Sequence, residues 1–176
     1  FSGIVSSLMY FFIPIEAYLS GANLSMVVLI TVFGAIPALF GYKLGRIADA
    51  HNRYSFISLG LICLAMVSVG LVLFPFYWFK LVAIFLMGIV LELFYVIQSS
   101  LITTLGPVET YGKRGSAFEA VVTLGDLVAP LILGIGIDIA GFPNVIKIIA
   151  LIAIFLALMY KFGFKFTKRP SGYIRK

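Results

Sequence analysis

Long apolar runs alternate with short polar breaks along this chain, and six of the runs are long enough to cross a bilayer as helices. A hydrocarbon core of ~30 Å takes ~20 helical residues. The runs fall at 2–20, 24–44, 54–74, 78–104, 115–139 and 143–164. Turn-forming residues separate them: Ser20-Gly21-Ala22-Asn23, the polar stretch from Gly45 to Arg53, Phe74-Pro75, Gly106-Pro107 and Gly141-Phe142-Pro143-Asn144. The pattern predicts an all-α membrane protein, with a six-helix transmembrane domain over 1–164 and a basic tail over 165–176.

Polar residues inside the runs divide the spans into two kinds. Span four carries Glu92, Tyr95, Ser99 and Thr103 at steps of three, four and four, which stack on one helix face, with Gln98 beside them. Span one carries Glu16, with Tyr10, Tyr18 and Ser20, and span five carries Asp126. Spans three and six hold no ionisable group in their middle. A polar group facing lipid is costly. Spans one, four and five are therefore expected to face a wet cavity or a protein neighbour, and spans three and six to face lipid. The cavity candidates are Glu92, Tyr95, Gln98, Ser99, Glu16 and Asp126. Glu92 leads, because a carboxylate at mid-span costs ~2.5–3.5 kcal/mol on insertion scales and must be retained for something. A proton or substrate site is one reason, and a protonated helix–helix hydrogen bond is the other. Glu16 lies near a span end, and Asp126 adjoins Gly125, so structural roles stay open for both.

Small residues mark close helix approaches. Gly41 and Gly45 in span two form a small-xxx-small step, as do Gly125 and Ala129 in span five. These spans are the second members of two triplets. Each contains Pro-x-x-x-Gly, Pro37 to Gly41 and Pro130 to Gly134, and each ends in Gly-x-x-x-Asp, Gly45 to Asp49 and Gly134 to Asp138. With three spans per triplet the second is inverted, which is a three-plus-three inverted repeat.

Composition agrees with lipid as the solvent. The chain is 62% hydrophobic and 11% charged, with mean hydropathy +1.14, where a soluble domain is roughly 45–50% apolar and 25% charged. Of the thirteen Lys and Arg residues, only Lys80 and Lys147 fall on the face opposite the Gly45–Arg53 stretch. Cytoplasmic loops carry the excess of Lys and Arg. The Asp49 loop, the loop at Arg114 and the tail are thus expected to be cytoplasmic. The net charge of +6 is topological, and dispersal of the bases over several loops argues against nucleic acid as a partner.

The remaining chemistry is sparse. Cys63 is alone and apolar in context, and His51 is the only histidine, in a polar loop. There is no phosphate-binding Gly-x-x-x-x-Gly-Lys-Ser/Thr loop, no His-Glu-x-x-His and no zinc ligand set. Neither an enzyme nor a cofactor is expected. The chain opens at Phe1 inside an apolar run, without a signal peptide, and is expected to be a piece of a longer protein.

Three stretches resemble the major facilitator superfamily. The first is Gly45-Arg46-Ile47-Ala48-Asp49-Ala50-His51-Asn52-Arg53, which keeps the Gly, the Asp four residues on and the following base of the family's loop motif. It has Ala50 where a base is usual, a degeneracy typical of the second half of such transporters. The second is Lys113-Arg114-Gly115-Ser116-Ala117, and the third is Gly125-Asp126-Leu127-Val128-Ala129-Pro130 with Gly134. The resemblance implies one six-helix half of a twelve-helix secondary transporter, the C-terminal half, in the plasma (inner) membrane. Its partners would be lipid, a small solute, and a missing N-terminal half or a second copy. It also implies a cytoplasmic gate in which Gly45, Arg46, Asp49 and Arg53 take part, with Glu119 as a further member. Gly41, Gly125, Pro130 and Gly134 would pack helices. A non-transporting six-helix protein that binds partners is the rival reading.

Overall fold

The computed structural model describes residues 1–50, 53–104 and 107–163. Among the described residues six helices are long and apolar: α1 (Ser2–Leu19), α2 (residues 24–50), α3 (Arg53–Leu73), α4 (Tyr77–Thr104), α5 (Tyr111–Ala140) and α6 (Phe142–Gly163). Asn23 caps the start of α2 by accepting the Met26 amide at 2.9 Å. Gly141, at φ 80°, ends α5 in a conformation that a side chain would strain.

Two helices are irregular, and proline is the cause in each. Pro14 lacks an N–H, and its ring crowds the carbonyl four residues back. The turn before it widens into a π-helix over Leu8–Phe12. Pro37 lies within a 3-10 segment, Ile36–Phe40, in the middle of α2. The helix then resumes over Gly41–Ala50. The Gly45-to-Asp49 stretch, expected to be a loop after residue 44, is therefore the last turns of α2. Arg46, Ile47 and Ala48 are adequate helix formers, and the helix runs unbroken to Ala50. The chain enters α5 at Tyr111, four residues before the expected start.

Packing pairs the elements by a swap of the triplets. α1 lies along α5 as α4 lies along α2, and α3 lies along α6. Glycine permits the first two crossings. A methyl at Gly3 of α1 would stand 2.5 Å from the Gly125 backbone of α5. One at Gly88 of α4 would stand 2.6 Å from the Gly34 carbonyl oxygen of α2. In the third crossing Ala150, Ala153 and Ala157 form a fully buried ladder on α6 against Ile57, Leu61 and Leu64 of α3. Ser58 reaches across to donate to the Ala157 carbonyl at 3.0 Å.

Spans three and six were expected to face lipid. Among the six, α3 is the most enclosed and α5 the least. α3 nevertheless keeps one outward apolar stripe, Leu59, Ile62, Met66, Val69 and Leu73. Lipid exposure is a property of a face, and α3 spends its other faces on α4 and α6. α5 buries little because one side of it borders an open cavity and much of the rest is bare Leu, Ile and Val.

Candidate functional site

A cavity of about 380 Å³ opens between α1, α4 and α5. Ser2 and Ser6 of α1, Leu91, Glu92, Tyr95 and Gln98 of α4, and Glu119, Val122, Thr123 and Asp126 of α5 line it. A second space of about 430 Å³ adjoins it, sharing Ser2, Gln98 and Val122, with a mostly apolar lining to which α3 adds Ile57 and Leu61 and α6 adds Leu156 and Tyr160. Glu92 stands near the middle of the 28-residue α4 and Asp126 near the middle of the 30-residue α5. Both carboxyls thus lie at mid-span depth.

Each polar side chain is positioned by local geometry. The Tyr95 hydroxyl donates to Glu119 Oε1 at 2.9 Å, tying α4 to α5. The Ser6 hydroxyl donates to Asp126 Oδ1 at 2.6 Å, one turn from the Gly3–Gly125 approach that brings α1 and α5 together. Pro130, four residues after Asp126, leaves the Asp126 carbonyl without its usual helical donor. Glu92 leans on Gly41 of α2, so a side chain at Gly41 would strike its carboxylate. Tyr10 and Tyr95 are within electrostatic range of Glu92. Among the described residues Glu92 has no ion-pair partner.

The structure gathers Glu92, Tyr95, Gln98 and Asp126 around one space, and Ser99 is not on its lining. Glu119, assigned to the gating stretch, lies here instead, hydrogen-bonded to Tyr95 two turns inside α5. Glu16 is elsewhere. It forms an ion pair with Lys80 at the opposite ends of α1 and α4, close to Ser20, which donates to Glu16 Oε1 at 3.0 Å. Lys80 is only 3% exposed. Glu16 is satisfied there, away from the cavity lining. The sequence reading treated Lys80 only as a charge for orientation. The available signal was a lone Lys and a lone Glu, each near the same end of an otherwise apolar span.

Arg46 is exposed at the end of α2, and Arg53 opens α3 half-buried. The side chain of Asp49, His51 and the tail at 165–176 lie outside the described residues. The packing candidates divide. Gly41 sits against Glu92, while a methyl at Gly125 would meet nothing within 4 Å, because Gly3 is the residue whose Cβ has no room. Gly134 has ordinary space, its nearest neighbour Phe12 at 3.9 Å. Arg114, in the second motif, braces the α4–α5 connection. It donates to the carbonyls of Ile102 in the last turn of α4 at 3.0 Å and of Pro107 at 2.8 Å.

The family model of the Major Facilitator Superfamily matches residues 1–175. The chain belongs to the Major Facilitator Superfamily. It is thereby an integral membrane protein of a transporter family, in agreement with its six spanning helices. The resemblance carried by the Gly45–Arg53, Lys113–Ala117 and Gly125–Gly134 stretches is thus to the correct family. Searches of curated proteins and of solved structures returned no match.

Proposed function

We propose that this superfamily member is one six-helix half of a proton-coupled secondary transporter that moves a small solute by alternating access. The other half is a preceding six-helix unit or a second copy. The observation that carries the reading is the open cavity holding Glu92 and Asp126 at mid-span depth. A carboxyl in that place is expensive unless it exchanges a proton or meets a substrate. Midplane sites between repeats, with rocking of one bundle against another, are how such transporters work. The cavity is bounded by this chain only in part, since Tyr95, Glu119, Thr123 and Asp126 remain exposed, which fits closure by a second bundle. The Lys and Arg bias supports a cytoplasmic Gly45–Arg53 stretch, where it would gate.

Glu92→Gln keeps the shape and removes the titrating group. In proteoliposomes of the natural polypeptide, solute exchange should persist while accumulation driven by a proton gradient is lost. Accumulation that persists would make Glu92 structural. Asp49→Asn should slow turnover in a folded protein, and unchanged turnover would remove the gate. Light scattering with denaturing mass spectrometry tests the half-transporter reading. Either a polypeptide of about twice 19.3 kDa or a pair of 19.3 kDa chains supports it, and a lone 19.3 kDa monomer overturns it.

A further inference from the structure

The same cavity has a single sign of charge. The chain holds thirteen Lys and Arg against seven Asp and Glu. Three of those seven acids, Glu92, Glu119 and Asp126, line the cavity, and among the described residues no basic side chain does. Lys80 of α4 pairs with Glu16, Arg114 of α5 donates to backbone carbonyls of the α4–α5 connection, and Lys113, six residues before Glu119, is exposed and off the lining. Resting on the transport reading, we propose that the solute is an organic monocation, an ammonium or amidinium carried on an apolar or aromatic frame.

The arrangement of the lining favours that class over a bare metal ion. Among the described residues no three Asp, Glu, His or Cys side chains converge closely enough to hold one metal. The acids come from two helices and are spread along the wall. Glu119 and Asp126 each accept a hydroxyl proton donor, Tyr95 at 2.9 Å and Ser6 at 2.6 Å. These hydrogen bonds hold the two carboxyls in place on the cavity wall. Between the acids lie Leu91, Val122 and the Tyr95 ring, itself packed 6.3 Å from Phe118. An aromatic face attracts a desolvated cation, and apolar neighbours take up the rest of its frame. An anion would meet a wall whose ionisable acids are carboxyls, with no basic side chain among the described residues to offset them.

The test uses the full natural polypeptide in proteoliposomes and three labelled probes: 1-methyl-4-phenylpyridinium as the cation, 4-aminobenzoate as the anion and methyl glucoside as the neutral solute. Saturable uptake of the cation is expected, reduced about tenfold by Asp126→Asn with Glu119→Gln, a loss comparable to one good contact. Thr123→Lys puts a base on the same wall and should turn the preference from the pyridinium towards the benzoate, a gain that misfolding cannot mimic. Uptake of the anion or the glucoside in preference to the cation overturns the charge assignment while leaving the transport reading intact. Cation uptake indifferent to both variants overturns the site. Uptake of none of the three overturns the organic-monocation assignment, while the transport reading is decided separately by the assembly state of the natural polypeptide.

Discussion

The decisive residues are those whose smallness or charge is used by a neighbour. Gly88 has a carbonyl of α2 where its side chain would be, so Gly88→Val should force α2 and α4 apart. Overpacking of this kind costs ~1–3 kcal/mol, read as a lower unfolding temperature in detergent. Gly125→Ala should do the reverse. Its Cβ would point into open space, and Ala is favoured over Gly in a helix by about 1 kcal/mol, so stability is expected to hold or rise. A marked loss would show that Gly125 itself, and not Gly3, carries the contact. Spacing in the sequence marked Gly125 as small-xxx-small with Ala129, but it could not say which partner of a crossing points at the other. That depends on the rotation of both helices.

At the scale of elements, α1 and α4 are joined at one end by Lys80 and Glu16, and α4 and α5 at the other by Arg114. Lys80 is buried and Glu16 half-buried, so losing Glu16 strands a buried ammonium at a cost of about 1–3 kcal/mol. Lys80→Met and Glu16→Gln should each lower thermal stability, and the double variant should recover most of the loss. Additive losses would mean that the two side chains are not coupled. Glu16 illustrates what an intramembrane acid conceals in a sequence. Its cost was legible, but its partner lies 64 positions away on another helix, and pairing over that separation exists only after folding. The extension of α2 through Asp49 was also missed, because polarity marks where lipid ends and not where a helix must end.

Across the whole molecule, faces matter more than spans. Met66 lies on the outward apolar stripe of α3 and Thr123 on the cavity wall of α5. Met66→Arg should therefore impair membrane insertion by ~2.5–3.5 kcal/mol, measured with a glycosylation reporter, whereas Thr123→Lys should insert normally. Equal penalties would place both residues against lipid. Six spans, the superfamily and the polar character of α4 were all readable from the chain, because hydropathy, helix periodicity and short motifs are local and the bilayer rewards them one span at a time. The enclosure of α3, the position of Glu16 away from the cavity, that of Glu119 on its wall and the lack of a base on its described lining were decided by tertiary structure. Each depends on which faces of distant helices meet, and that choice is made by close packing of glycine and alanine against neighbours that no single span contains.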